Sequence, residues 1–109
     1  MNVMTDQYTG TVRTCLGEIA SYLRRVNVGP ASVIPAILEH FEIKVGKFPQ
    51  GCQICPELLK IGCVKYRECN TTDGYRILYS VEERVITAHV VMSQRQDIQQ
   101  LLFRRLISI

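Results

Sequence analysis

The sequence contains no tryptophan, and aromatic residues make up only 7% of its 109 positions. It has no run of the roughly 18 apolar residues that a membrane-spanning helix requires. Its formal net charge is only +3, too small to indicate a nucleic-acid-binding protein by itself. That charge permits contact with phosphate, with a DNA-bound enzyme or with an acidic peptide. Chain length fits one domain, residues 1–109, with a single modest core.

The first six residues also lack the basic start and apolar run of a secretory signal peptide. We therefore expect a cytoplasmic protein with no membrane partner. In that compartment thiols are kept reduced, so the five cysteines do not predict a disulfide framework.

Four of the cysteines lie within 18 positions of one another: Cys52, Cys55, Cys63 and Cys69. A structural zinc site needs four soft ligands, and four clustered cysteines would supply that number. However, only Cys52 and Cys55 have the paired C-x-x-C spacing. A zinc site and a disulfide formed on oxidation are both open, but we favour packing as small apolar side chains. No cofactor is predicted.

Two amphipathic helices are predicted in the first half of the chain, because apolar residues recur there at helical spacing. Residues 27–30 break the pattern, so the two helices form a hairpin. Ser32 is the expected N-cap of the second helix, and Gly46 is its expected end. The apolar faces comprise Val12, Cys15, Leu16, Ile19, Leu23 and Val26, followed by Ile34, Ile37, Leu38, Phe41, Val45 and Phe48.

The second half changes to a period of two, which is typical of strands. Residues 64–69, 75–81 and 85–92 are separated by short turns and predict an antiparallel meander. Residues 2–8 are either an edge strand or a loose end, and Asp97 begins a final helix. The predicted fold is α+β: an N-terminal helical hairpin packed on a three- to four-stranded antiparallel sheet, with a short C-terminal helix.

Four segments of this half resemble the RelE/ParE toxin family in their order and spacing. Residues 74–81, GYRILYSV, resemble a strand of that family, and residues 93–98, SQRQDI, resemble the end of its next strand. Residues 65–68, KYRE, resemble its basic strand, and residues 56–58, PEL, resemble the loop before it.

The resemblance implies the toxin of a type II toxin–antitoxin module, a class that includes plasmid stabilisation proteins and inhibits growth. ParE-like members block DNA gyrase, whereas RelE-like members cut messenger RNA in the translating ribosome. The expected partners are therefore a cognate antitoxin and one of those two targets. A third alternative, from another class, is a non-toxic cytoplasmic interaction domain with a cysteine-bound zinc.

The resemblance also implies candidate catalytic residues: Lys65, Arg67, Arg76 and Arg95. Strand alternation places Lys65 and Arg67 on one face of the sheet, and we expect the other two cations to converge there. Two departures favour the ParE-like function. Leu101, Leu102 and Phe103 occupy the stretch where RelE-like nucleases carry a tyrosine, and Arg67 replaces a common lysine although arginine is a poor proton shuttle. Whether the chain is an enzyme, an mRNA endoribonuclease, stays open.

Three apolar residues near the end of the chain are candidates for antitoxin contact: Leu102, Phe103 and Ile107.

His89 lies among apolar residues of a predicted strand, where a histidine buried in the sheet is more common than a general base.

Overall fold

The computed structural model describes residues 5–71 and 74–93. Its elements follow the order β1, α1, α2, α3, β2, β3 and β4. Their bounds are Thr5–Tyr8 for β1, Gly10–Arg25 for α1, Pro30–Lys47 for α2, Pro56–Leu59 for α3, Arg67–Asn70 for β2, Tyr75–Glu82 for β3 and Val85–Ser93 for β4. The predicted α+β class is confirmed. The predicted C-terminal helix lies outside the described residues.

Helix α1 starts where its sequence supplies a capping group. The side chain of Thr9 accepts a hydrogen bond from the backbone N–H of Val12, which satisfies one of the unpaired donors of the first turn. Arg24 and Arg25 lie in the last turn, where the helix dipole favours cations. Asn27 then adopts a φ of 62°, a left-handed conformation that asparagine tolerates, and the chain reverses into α2.

Helix α2 begins earlier than its sequence predicts. Gly29, not Ser32, occupies the N-cap, and Pro30 is the first helical residue, where its missing N–H costs nothing. The hydroxyl of Ser32 instead donates to the carbonyl of Gly29 at 3.2 Å. The helix also continues through Gly46 to Lys47, because the buried residues Ile37, Phe41 and Val45 recur on one face.

The sheet has the order β1-β4-β3-β2. Strands β2, β3 and β4 form the predicted antiparallel meander, but β1 pairs with β4 in parallel. The expectation of a purely antiparallel sheet was therefore wrong. The chain leaves β1 through both long helices before it enters the meander, and a crossover of this kind returns it in the parallel direction.

The core lies between the helical hairpin and the sheet. The ring of Phe41 in α2 packs nearly perpendicular to that of Tyr79 in β3, with centroids 5.6 Å apart. Tyr79 is fully buried, yet its hydroxyl donates to the carbonyl of Pro49 at 2.8 Å. This bond satisfies the phenol and fastens the loop after α2 to the sheet. None of the described helices is long and apolar enough to cross a membrane.

Replacing Phe41 by alanine should lower the free energy of unfolding by about 3 to 5 kcal/mol, because a fully buried aromatic ring leaves a cavity. Chemical denaturation measures this. Ile43→Ala in the same helix is the matched control, since Ile43 is 52% exposed. Equal losses in the two variants would contradict the described packing.

Candidate functional site

The register of β2 and β3 separates two of the predicted catalytic arginines. Arg67 pairs with Tyr79, and Asn70 pairs with Arg76. Positions 67 and 70 are three residues apart, so their side chains project to opposite faces of the sheet. Arg67 therefore shares the face of Tyr79, toward the helical hairpin, and its Nη1 donates to the carbonyl of Cys52 at 2.6 Å. The expectation that the cations converge on one face was wrong for this pair.

Arg76 lies on the other face, between two carboxylates, in an arrangement that we call the arginine clamp (Glu57, Glu68 and Arg76). Its Nη2 lies 2.6 Å from Oε2 of Glu57, and its Nη1 lies 2.9 Å from Oε2 of Glu68. Nη1 also contacts Oε1 of Glu57 at 3.1 Å. The second oxygen of Glu68 accepts from the amide of Gln53 at 2.6 Å. The clamp thus ties α3 and β2 to β3.

The electrostatics of the clamp reinforce its geometry. The guanidinium of Arg76 holds the pKa of Glu57 below its usual range, and the pKa of Arg76 is raised in turn, first by its bond to Glu57. Arg76 is only 8% exposed. A buried cation that already contacts two carboxylates cannot bind a phosphate unless these pairs break, and breaking a buried pair is costly.

Lys65 precedes β2 and remains at the surface. Its Nζ lies 3.6 Å from Oε1 of Glu82 and 5.7 Å from the ring centroid of Tyr66. Both side chains of the ion pair are more than half exposed, so water screens the attraction. Lys65 is therefore more accessible to a ligand than Arg76. The fourth predicted cation, Arg95, lies outside the described residues, as do the predicted antitoxin contacts Leu102, Phe103 and Ile107.

His89 forms a polar pair with Ser80, which its apolar neighbours in the sequence did not predict. Its Nε2 lies 2.7 Å from the hydroxyl of Ser80, and the ring of Tyr66 meets the imidazole edge to face at 5.1 Å. Burial, followed by the charge of Lys65, lowers the pKa of His89, whereas Glu82 raises it. The imidazole is thus neutral at pH 7 and able to exchange a proton. The tight β3–β4 hairpin, which pairs Ser80 with Thr87, was the signal that could have predicted this pair.

Zinc binding was the less favoured alternative for the four clustered cysteines, and in the described part of the chain no three of them come together as a group of ligands. Cys69 is fully buried, and burial, followed by its neighbour Cys52, raises the pKa of its thiol to about 11. Zinc binds thiolates, so a thiol held protonated is a poor ligand. The thiol of Cys55 instead lies 3.7 Å from Oε1 of Glu57.

A different group, Cys55 with Glu57 and Glu68, brings its ligand atoms within 4.8 Å of one another. Both of these carboxylates belong to the arginine clamp, however. Arg76 already binds both carboxylates, so a metal ion at this group would have to displace the guanidinium.

Replacing Arg76 by methionine should lower the free energy of unfolding at pH 7 by about 3 to 5 kcal/mol, because Glu68 loses the partner of its buried charge. Arg84→Met is the matched control, since Arg84 is exposed. Denaturation across pH supplies a second measurement. The pKa of Glu57 is lowered in the folded chain, so its contribution is present above the ordinary value of 4.5 and is lost as the pH falls through the lowered value. This acid-induced loss should be weaker in Arg76→Met. Equal stability of Arg76→Met and the control would contradict the clamp.

Removing the charge of Lys65 with Lys65→Met should raise the pKa of His89, and removing that of Glu82 with Glu82→Gln should lower it. Titration of the imidazole followed by NMR measures both changes. Lys60→Met, at an exposed lysine in another segment, is the control and should leave the midpoint unchanged. A wild-type midpoint at or above 6.5 would refute the described environment of His89.

Comparison with known proteins gives a likeness of fold. No protein-family model matches the sequence, and no curated protein matches it. The fold, however, is similar to that of a solved structure described as the chromosomal ParDE toxin–antitoxin system from P. aeruginosa. The TM-score is 0.67 at 15% sequence identity, and the match covers 85% of this chain and 98% of that chain. A structural match at such low identity shows a shared fold, and it does not show a shared chemistry. The likeness is one of fold: this chain has the fold of a protein from a ParDE toxin–antitoxin system.

Proposed function

We propose that this chain is the toxin of a type II toxin–antitoxin module and inhibits growth by binding a target protein, such as DNA gyrase. The observation that carries the proposal is the fold shared with a chain of a ParDE toxin–antitoxin system, together with the motifs in residues 56–98. The proposal implies a cognate antitoxin as partner and the cytoplasm as the place of action.

The arginine clamp favours binding over RNA cleavage. A ribonuclease of this fold needs cations that are free to stabilise the charge developing on phosphate. Arg76 is instead neutralised by Glu57 and Glu68, and Arg67 points to the opposite face of the sheet. Of the predicted catalytic cations that the structure describes, only Lys65 is largely accessible.

A ribosome-dependent mRNA endonuclease is the second candidate, and one observation favours it. The neutral imidazole of His89 lies beside the hydroxyl of Ser80, and the charge of Lys65 contributes to lowering its pKa. A neutral histidine near a lysine is a combination that general-base catalysis at a phosphodiester uses. Under this function His89 would supply the proton-transfer group that the last predicted helix lacks.

Induced expression in a bacterial host distinguishes these functions. Under the proposal, growth stops while messenger RNA remains intact, and plasmid DNA becomes relaxed or broken. Growth curves, gel analysis of plasmid topology and mapping of message ends give the three measurements. The control is the same gene with an early stop codon.

Two other results would each change the conclusion. Message cleavage that disappears in His89→Ala and in Lys65→Ala would replace gyrase inhibition with endonuclease activity. Undisturbed growth, with the folded protein present in the cell, would reject the toxin function in both forms.

A further inference from the structure

Phe48 directly follows α2 and presents an apolar ring to solvent. The side chain is 71% exposed, although the helix that leads to it is anchored by the buried residue Val45. Two hollows, of about 490 Å³ and about 460 Å³, are both lined by Phe48 and Gly51. Phe48 is therefore an exposed apolar ridge that borders both concave surfaces.

The backbone around this ridge is fixed on both sides. The N–H of Gly51 donates to the carbonyl of Phe48 at 2.9 Å, and the buried hydroxyl of Tyr79 donates to the carbonyl of Pro49 at 2.8 Å. A side chain at position 51 would meet Cβ of Phe48 at 2.9 Å, so the tight turn requires glycine. An exposed aromatic residue on a rigid turn loses little conformational entropy when a partner covers it, which favours binding.

The charges around the ridge indicate the chemistry of the partner. Lys44 and Lys47, both in the last turn of α2, each line one of the two hollows. Neither lysine forms an ion pair with a residue in the described ranges. Glu68 also lines the first hollow, but it is buried and both of its carboxylate oxygens are occupied, one by Nη1 of Arg76 and the other by the amide of Gln53. Each hollow thus has one lysine beside the apolar ring, and the one exposed carboxylate among their lining residues is Glu83 in the second hollow.

We propose that Phe48 with its two hollows, the Phe48 ridge, is a docking site for an acidic segment of a partner protein. Apolar side chains of that segment fill the hollows, and its carboxylates pair with Lys44 and Lys47. Under the function proposed above, on which this identification rests, the partner is the antitoxin. Glu83 lines the second hollow and repels any anion placed against it, which disfavours a nucleic acid because each nucleotide brings a phosphate, whereas a peptide can place its carboxylates at the two lysines alone. A peptide spaces its charges and supplies the apolar groups.

The first test measures affinity for a defined protein. A genomic fragment of the source organism is selected for restoring growth to cells that express the toxin, and its product is purified. Titration calorimetry should show about 30-fold weaker binding for Phe48→Ala, the effect of losing a central aromatic anchor. Tyr22→Ala, at an aromatic residue 54% exposed in α1, is the matched control and should bind as the wild type does.

Charge reversal tests the acidic character of the partner. Lys47→Glu should weaken binding about tenfold, and the remaining affinity should depend less on salt, because one attractive contact has become repulsive. Lys60→Glu makes the same change of charge at an exposed lysine away from the ridge and is the control. Equal affinity for Phe48→Ala and Tyr22→Ala, in chains shown to be folded by denaturation, would overturn the proposed site.

A peptide array tests the ridge without reference to toxicity. Fluorescent wild-type chain is applied to acidic peptides containing leucine and phenylalanine, to the same peptides with lysine in place of every acid, and to single-stranded RNA. Retention of the acidic peptides by the wild type, but not by Phe48→Ala, supports the site even if expression proves harmless. Preferential retention of RNA or of the basic peptides, or loss of discrimination between the two chains, overturns it.

Discussion

The arginine clamp is the interaction on which the far side of the sheet depends. Arg76 belongs to β3, Glu68 to β2 and Glu57 to the short helix α3, so one guanidinium joins three elements. A four-residue helix has little stability of its own, since helix formation becomes favourable only over a longer stretch. The clamp supplies the tertiary contact that holds α3 against the sheet. It therefore also fixes the segment that leads from α3 into β2.

The same interaction limits the chemistry available to that face. Resemblance to a toxin family suggested a surface of free cations, but burial turns Arg76 into a structural residue. A guanidinium that satisfies two carboxylates contributes little to the potential above the surface, because the opposite charges lie within 3 Å of it. Among the predicted cations in residues 5–71 and 74–93, Lys65 remains accessible, and the half-buried His89 lies beside the buried hydroxyl of Ser80. Sequence position alone does not separate a catalytic arginine from a structural one.

Local periodicity of apolar residues predicted most of the helices and strands. The faces containing Phe41 and Val12 predicted the two helices, and the alternation around Tyr79 predicted the meander, because these patterns depend on neighbours in the chain. The parallel pairing of β1 was not predictable in this way. Its four residues are mostly exposed and carry no alternation, and their partner β4 is 80 positions away. The clamp was missed for a similar reason, since nothing in the sequence joins Glu57 to Arg76.

The described contacts fall into two regions, one on the side of the helical hairpin and one at the arginine clamp. On the hairpin side, Tyr79 lies under Phe41 and bonds to Pro49, so the same buried residue that completes the core also holds the turn that presents Phe48. On the other side, the clamp holds α3 and β2 against β3. A partner bound at the Phe48 ridge would contact Lys44, whose Nζ donates to the carbonyl of Asn70 at the end of β2. Glu68 of the clamp lies two residues earlier in the same strand. The ridge and the clamp therefore share β2, the strand that carries one of the three clamp residues.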